Sequence, residues 1–164
     1  MRRVIVKRIN TMYALKKEHL DYMRDKFRGF LATVNSKLVP RIVPVCFAYT
    51  ESRIYIPIDR KPKKTQILAR VKDIRQNPSV SFIVDNYSDN WALLSYMLVF
   101  AKASILDGGN DFETASSLIV KRYPQYKTIG TRFYYIISLE PEHVKLWFFK
   151  RIKQETFQLP SKHQ

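Results

Sequence analysis

The chain has 164 residues, a length that suits one domain with a single core and is too short for two. Hydrophobic residues make up 46% of the sequence and aromatic residues 13%. That much apolar surface can offset the entropy of ordering the chain, so a disordered body is excluded. The 29 Lys and Arg side chains outnumber the 14 Asp and Glu, and the net charge of +15 favours anionic partners: nucleic acid, a membrane surface or a phosphorylated small molecule.

The cysteine and histidine residues indicate neither a disulfide nor a metal site. Cys46 is the single cysteine and lies in an apolar run, where a thiol usually behaves as a small buried hydrophobe. His19, His143 and His163 are far apart in the sequence and lack the spacing of metal ligands. The basic N-terminus has no uninterrupted apolar segment, and no later stretch is apolar over the length that a spanning helix needs. We therefore expect a cytoplasmic protein with no metal and no membrane partner.

The first predicted elements in chain order are a short edge strand at residues 3–9 and a helix that Thr11 caps. Apolar side chains of this helix recur in steps of three or four, with charged residues on the other side. His19 is therefore expected on a helix face rather than in a catalytic role. The positions on this face are Met12, Leu15, His19, Tyr22, Met23 and Phe27.

From Gly29 onward the pattern changes to a period of two, which is typical of strands, and helical segments interrupt it twice. Turn residues separate most of these segments. The predicted elements are strands at 30–34, 40–49 and 53–58, a helix at 65–76, strands at 80–85 and 93–105 flanking an aromatic loop at 86–91, a helix at 111–122, and strands at 133–139 and 143–149.

About seven short strands with three helices, and no regular alternation of strand and helix, predict a mainly-β fold. We expect an antiparallel β-barrel with helices on its outside. The barrel is predicted to form one domain at residues 1–149, followed by a basic, polar tail at 150–164.

A basic segment lies between the third predicted strand and the second helix. Seven of the 29 basic residues fall between Arg60 and Arg75. Backbone N–H groups and the positive end of the helix dipole favour an anion at a helix N-terminus, and lysines there add charge-assisted hydrogen bonds. The alternative is a solvated basic turn. Because unpaired positive charge is unfavourable at this end of a helix, we interpret the segment as a phosphate site.

Several stretches carry a resemblance to a known family: Leu31-Ala32-Thr33-Val34, Pro40-Arg41-Ile42-Val43-Pro44-Val45, residues 55–64 and Asn77-Pro78-Ser79-Val80-Ser81. In order and approximate spacing they resemble the pyridoxamine 5'-phosphate oxidase-like, FMN-binding split-barrel family, over roughly residues 12–148. Three further pieces are most similar to the branch described as deazaflavin-dependent. These pieces are Asp59-Arg60-Lys61-Pro62-Lys63, Asp85-Asn86-Tyr87-Ser88-Asp89-Asn90-Trp91 and Arg122-Tyr123-Pro124-Gln125-Tyr126.

The resemblance implies a six- to seven-stranded antiparallel split β-barrel that forms a two-fold homodimer with cofactor sites at the subunit interface. It places the cofactor ring against two strands and the phosphate on basic residues after the second of them. The loop lysines match by position after the strand and Arg70 matches by distance back from Asn77-Pro78, so two or three of the four basic residues are expected to bind the phosphate. Trp91 either reaches the site from the partner subunit or packs against the barrel. The implied cofactor-binding residues are Val43, Pro44, Val45, Ile56, Pro57, Ile58, Lys61, Lys63, Lys64, Arg70 and Trp91.

The implied function is an oxidoreductase that uses FMN or the deazaflavin coenzyme F-420 to transfer hydride to or from an unidentified small molecule. The cofactor supplies the hydride chemistry, so no catalytic residue is assigned. The net charge of +15 slightly favours the more anionic deazaflavin. Vitamin B6 oxidation is not expected, because Gln158-Leu159-Pro160 lacks the arginine that would hold pyridoxal phosphate.

Two alternatives remain open from the sequence. One is a nucleic-acid-binding basic protein, although its candidate aromatic residues have apolar neighbours and are expected in the core. These residues are Tyr134, Tyr135, Trp147 and Phe148. The other is a flavin carrier or sensor without turnover.

Overall fold

The computed structural model describes residues 13–59, 68–128, 130 and 133–149. The predicted strand at 3–9, Thr11, Met12 and the tail lie outside the described residues. The helices are α1 Lys17–Met23, α2 Ala69–Gln76, α3 Gly109–Arg122 and α4 Gln125–Thr128, with a 3-10 turn at Trp91–Leu93. The strands are β1 Gly29–Val34, β2 Pro40–Val45, β3 Ala48–Tyr49, β4 Ile54–Asp59, β5 Ser79–Asn86, β6 Ser95–Leu106 and β7 Phe133–Phe148.

The seven strands form one antiparallel sheet in the order β2-β1-β5-β6-β7-β4-β3. This confirms the predicted mainly-β class and the flanking helices. The two edges of the sheet, β2 and β3, are separated in the chain by Cys46 and Phe47 alone. The sheet must therefore curl until its edges approach, which gives a barrel with a split along one side.

The inside of the curl is filled by side chains from nearly every strand. Leu31, Ile56 and Phe82 are fully buried there, and Phe47 joins them from the link between β2 and β3. Burying one such side chain stabilises the fold by about 1.5–3 kcal/mol. Gly29 opens β1 where the Phe82 ring approaches so closely that a Cβ atom would collide with it.

Strand β4 is buried on both of its faces. Ile54, Ile56 and Ile58 point into the barrel core, whereas Tyr55 belongs to a second cluster with Ile119 of α3. A strand covered on both sides has no solvent face, which explains its continuous apolar sequence. Helix α3 therefore acts as the outer layer over this part of the barrel.

Two predicted strand boundaries were wrong. The strand predicted at 40–49 breaks after Val45, and Cys46 is exposed at the break rather than buried in an apolar strand. The two strands predicted at 133–139 and 143–149 form one continuous strand, β7. In the pairing of β6 with β7, Phe100 lies opposite His143 and Ala101 lies opposite Pro141, so Glu142 has no partner of its own. The extra residue makes a bulge, which is how a strand accommodates a proline that lacks an N–H.

The helix predictions differ from the structure mainly at helix ends. The described part of α1 is shorter than the predicted helix, and α3 begins two residues earlier than residue 111. Helix α4 and the 3-10 turn were not predicted, because segments of three or four residues are too short to show a helical period.

A buried carboxylate attaches α2 to the barrel. Asp73 is only 4% exposed, and its Oδ2 accepts hydrogen bonds from Thr33 Oγ1 of β1 at 2.9 Å and from Arg41 Nε of β2 at 3.1 Å. A buried carboxylate is tolerated here because two hydrogen-bond donors contact it. The contact fixes α2, and with it Arg70, against the sheet.

We predict that Asp73→Ala lowers the free energy of unfolding by about 2 kcal/mol, because two hydrogen bonds to a charged acceptor are lost and Thr33 Oγ1 stays buried without a partner. Chemical denaturation measures the effect. Glu113→Ala, which removes an exposed carboxylate from α3, should change it by less than about 0.5 kcal/mol. Equal effects of the two substitutions would contradict this role of Asp73.

Candidate functional site

The split presents two open strand edges. In the described structure β2 pairs with β1 alone, and the two-residue strand β3 covers β4 only at Ile54 and Tyr55. Among the described residues, the backbone of 56–58 has no strand partner on the side away from β7. The edge at β2 is the more open of the two, because residues 40–44 are exposed or half-buried, and unpaired groups on an open edge can hydrogen-bond a ligand.

The six strand residues predicted to line a cofactor ring occupy these edges, but their side chains are presented differently. On β2, Val45 is buried, Val43 is half-buried and Pro44 is exposed. On β4, Ile56, Pro57 and Ile58 are all buried as whole residues, so this strand presents little surface of its own to a ligand.

Arg70 lies in the first turn of α2, eleven residues after the end of β4 at Asp59. Its Nε is buried and forms no hydrogen bond in the described part of the chain. Desolvation lowers the pKa of the Arg70 guanidinium, and the negative charge of Asp59 raises it. Since an arginine side chain remains protonated in proteins, Arg70 presents a permanent cation with an unused N–H donor.

The start of α2 adds to this positive site. Leu68 occupies the N-cap position without a capping side chain, and no acidic residue lies in the first turn. The N-terminal backbone N–H groups therefore keep their affinity for an anion. The predicted phosphate ligands Lys61, Lys63 and Lys64 lie outside the described residues, as does the predicted helix start at Thr65.

The link between the two sheet edges is held by Tyr123, at the C-terminal end of α3. Its hydroxyl accepts a hydrogen bond from the backbone N–H of Phe47 at 3.0 Å. The same hydroxyl lies 2.8 Å from the carbonyl oxygen of Phe27 and 2.9 Å from that of Phe47, either of which it can donate to. Tyr123 is buried, and burial raises the pKa of its phenol.

A second tyrosine, Tyr126 of α4, lies beside the same link. Burial, together with the negative charges of Cys46 and Asp59, raises the pKa of Tyr126 to about 12. Its phenol therefore stays protonated and can act as a hydrogen-bond donor near the split. Tyr123 and Tyr126 both belong to a stretch that carries the family resemblance, although the sequence pattern predicts no structural role for either.

Arg122 fixes α1 to the same region. Its Nη2 donates hydrogen bonds to the carbonyl oxygens of Met23 at 2.8 Å and Lys26 at 2.6 Å, just after α1 ends. Its guanidinium also lies 5.2 Å from the ring centre of Phe47 and 5.0 Å from that of Tyr49. Such cation–π contacts stabilise a partly buried arginine.

Apolar side chains are frequent on the outer side of β2, β1, β5, β6 and β7, where His143 and Lys145 lie among them; we call this surface the outer sheet face. Ile42 is 69% and Phe100 42% exposed, and a shallow cavity of about 270 Å³ separates them. Trp147 of β7 stacks on Tyr96 of β6 at 5.3 Å. The outer sheet face comprises Phe30, Ile42, Ile83, Tyr96, Leu98, Phe100 and Trp147.

The aromatic residues expected in the core are mostly exposed. Trp147 is 36%, Phe148 52% and Tyr134 38% exposed, so that expectation was wrong for these three. Tyr135 packs partly against the core, with Arg75 over its ring. In the second half of β7 the side chains alternate, so that Val144 and Leu146 pack against the core whereas Trp147 faces outward beside Tyr96.

Trp91 also projects from the barrel. It lies in the 3-10 turn between β5 and β6 and is 64% exposed, with its ring against Phe149 at 6.4 Å. The structure does not bring Trp91 to the split of its own chain among the described contacts. Its predicted contact through a partner subunit stays a prediction.

The arrangement of the chain matches a known family. The family model described as pyridoxamine 5'-phosphate oxidase matches residues 15–148. The chain belongs to this family. The match covers every described strand, so the predicted split-barrel family is confirmed; it does not distinguish the deazaflavin-dependent branch. A search of curated proteins found no match.

Solved structures share the fold at low sequence identity. A FAD-binding protein from Mesorhizobium loti has a TM-score of 0.60 and 18% identity, covering 77% of this chain and 87% of its own. The heme storage protein HutZ from Vibrio cholerae has a TM-score of 0.60 and 17% identity, and the match covers 82% of this chain and 94% of HutZ. A conserved hypothetical protein from Mycobacterium tuberculosis has a TM-score of 0.63 and 16% identity, and the match covers 84% of this chain and 88% of that protein. Members of this fold thus bind different ligands.

The described residues contain neither a membrane-spanning helix nor a metal-binding cluster. No described helix is both long and apolar enough to cross a membrane. Within the same residues, no group of three His, Cys, Asp or Glu side chains could hold a metal ion.

We predict that Tyr123→Phe lowers the free energy of unfolding by about 1–3 kcal/mol, because the Phe47 N–H loses its hydrogen-bond acceptor in a buried position. Thermal or chemical unfolding measures the change. Tyr87→Phe removes a hydroxyl from a residue that is 75% exposed and should have little effect. A Tyr123→Phe variant as stable as the wild type would show that the link is held by packing alone.

Proposed function

We propose that this chain is an oxidoreductase that binds FMN or the deazaflavin coenzyme F-420 in the split between β2 and β4. The single observation that carries the proposal is the buried, unpaired Nε of Arg70 at the start of α2. It supports the proposal because a phosphate group would supply an acceptor for this N–H beside the charge of Asp59. Family membership and the FAD-binding relative of the fold add support.

The residues present fit such a cofactor. Arg70 and the N-terminus of α2 would hold the phosphate, with Lys61, Lys63 or Lys64 as further ligands. Residues 43–45 at the edge of β2 would contact the ring, and the buried residues 56–58 of β4 would form the apolar wall beside it. When bound, the flavin or deazaflavin supplies the hydride chemistry.

We also propose that the protein acts as a homodimer through the outer sheet face. A surface rich in apolar side chains across five strands, with His143 and Lys145 among them, is a candidate interaction site. A second copy of the same face is self-complementary under two-fold symmetry. In this dimer, Trp91 would reach the partner's site.

We predict that Arg70→Met weakens FMN binding about 10- to 100-fold, because the charge-assisted hydrogen bonds to the phosphate are lost. Riboflavin lacks the phosphate, so its affinity should change less than about twofold. Quenching of flavin fluorescence measures both constants, and a parallel titration with coenzyme F-420 identifies the preferred cofactor. Arg75→Met removes an exposed cation from the same helix and serves as the control. Equal losses for FMN and riboflavin would contradict a phosphate role for Arg70.

We predict that Phe100→Glu converts the dimer to monomers, because it places a charge in the centre of the outer sheet face. Light scattering after size-exclusion chromatography gives the mass. Thr114→Glu adds the same charge at an exposed position of α3 and should leave the dimer intact. A wild-type monomer, or a dimer that survives Phe100→Glu, would refute this interface.

Turnover separates an enzyme from a carrier or sensor. Steady-state reduction of electron acceptors by the loaded protein is expected for an oxidoreductase. Stoichiometric binding without turnover over a broad panel of acceptors would favour a carrier. The cytoplasmic location also stays a proposal, which fractionation of the source cells would test.

The exposed ends of β6 and β7 favour nucleic acid as a second candidate partner. Trp147 and Phe148 are exposed, and Lys145 lies 5.9 Å from the Tyr96 ring centre, a combination that can stack and neutralise a single strand. Tight binding of a fluorescent single-stranded oligonucleotide with a steep salt dependence would support this candidate. Because a similar fold stores heme in HutZ, hemin belongs in the cofactor titration as a further ligand.

A further inference from the structure

Helices α3 and α4 carry a cavity that the proposed cofactor site does not use. Its volume is about 480 Å³, which is within the range of small-molecule pockets. None of the residues proposed to bind the cofactor or to form the dimer lines it. The described lining residues are Ser116, Ser117, Val120, Lys121, Pro124 and Lys127.

The helical period explains why these side chains share one cavity. Ser116 and Val120 are four residues apart, as are Ser117 and Lys121, so the two pairs form adjoining stripes along α3. Ala115 and Ile119 lie on a neighbouring stripe and are buried in the core. The chain then bends at Pro124 and adds Lys127 from α4, on the solvent side of the layer that covers the barrel.

The charged side chains among the described lining residues of the cavity are all positive. Lys121 and Lys127 are both exposed, and within the described part of the chain neither forms an ion pair. None of the described lining residues is acidic. Two ammonium groups on one concave surface raise the local potential for an anion.

The hydroxyl of Ser116 is an independent sign of a ligand. Its Oγ is buried and forms no hydrogen bond among the described residues, although a helical serine can usually donate to the carbonyl four residues earlier. Buried polar groups without a partner are rare in folded proteins, because each one loses its hydrogen bonds to water and gains none in return. Ser116 lines the same cavity as the two lysines, so a molecule bound there would be placed to supply the missing partner.

We propose that this cavity binds a small molecule that carries one carboxylate or phosphate group on an apolar body. Lys121 and Lys127 hold the anionic group, and Ser116 and Ser117 contribute hydroxyl donors. Val120 and Pro124 supply the apolar wall. The cavity is distinct from the split, because none of its described lining residues is among the proposed cofactor ligands.

An NMR titration of isotope-labelled protein with phenyl phosphate and with benzoate tests the site. Saturable shifts at the backbone amides of residues 116–127 are expected for at least one anion, and comparison of the two separates phosphate from carboxylate. Phenol, which has the ring without the strong anion, should not saturate. If neither anion binds, or if the shifts fall only outside α3 and α4, the proposal is wrong.

Variants distinguish this cavity from general charge attraction. Lys121→Gln combined with Lys127→Gln should weaken binding at least tenfold, since both cations of the cavity are lost. Lys72→Gln combined with Lys102→Gln removes the same charge from exposed positions elsewhere and should change the affinity less than twofold. Equal losses in the two double variants would overturn the proposal.

Two single substitutions complete the test. Ser116→Ala should weaken binding without lowering the melting temperature, because the hydroxyl has no internal partner to lose. Arg70→Met should leave binding of the anion unchanged. If Arg70→Met abolishes binding, the anion occupies the cofactor site instead, and the cavity is not a site of its own.

Discussion

The two edges of the sheet meet at Cys46 and Phe47, where the backbone is held by the hydroxyl of Tyr123. Antiparallel pairing cannot continue through this link, because the chain must pass from one edge of the sheet to the other. A buried N–H at such a break needs an acceptor, and the phenol provides it. The distance between the open edges of β2 and β4 therefore depends on a side chain from α3.

The same helix organises the layers around the split. Ala115 and Ile119 cover the outer side of β4, and Arg122 binds the carbonyl groups that end α1. Desolvation of the Arg122 guanidinium is offset by three carbonyl oxygens and by neighbouring aromatic rings. A single helix thus contacts α1, β3 and β4. A substitution in α3 is therefore expected to alter the geometry of the split, although no residue of α3 is among the predicted cofactor ligands.

Periodicity predicted most of the fold, because hydrophobic alternation is a local property. The strands β1, β5 and β6 and the helix α3 lie close to their predicted ranges. The sequence could not show that the strand after Pro40 breaks at Cys46, since the residues on both sides of the break are apolar. It could not show that β7 is continuous either, because Pro141 suggests an interruption and only pairing with β6 reveals a bulge.

The candidate site could be predicted in position and not in orientation. The residues 43–45 and 56–58 were chosen by resemblance, and the topology leaves both segments at open edges. The sequence of β4 is continuously apolar, so it does not tell which side chains point inward, and the structure buries all of them from residue 54 to residue 58. Arg70 was one of four basic alternatives, and its unpaired Nε is visible only in three dimensions.

These orientations bear on how one fold serves several ligands. Relatives with the same barrel bind FAD or store heme, so the barrel does not by itself select a cofactor. Backbone groups at the open edges are common to any sequence with this topology. In the proposed site, selectivity would therefore come from side chains around the split, among them the exposed Pro44, the cation of Arg70 and the protonated phenol of Tyr126. A phosphate-bearing ligand would satisfy Arg70, whereas an uncharged ring would leave its Nε without an acceptor at the start of α2.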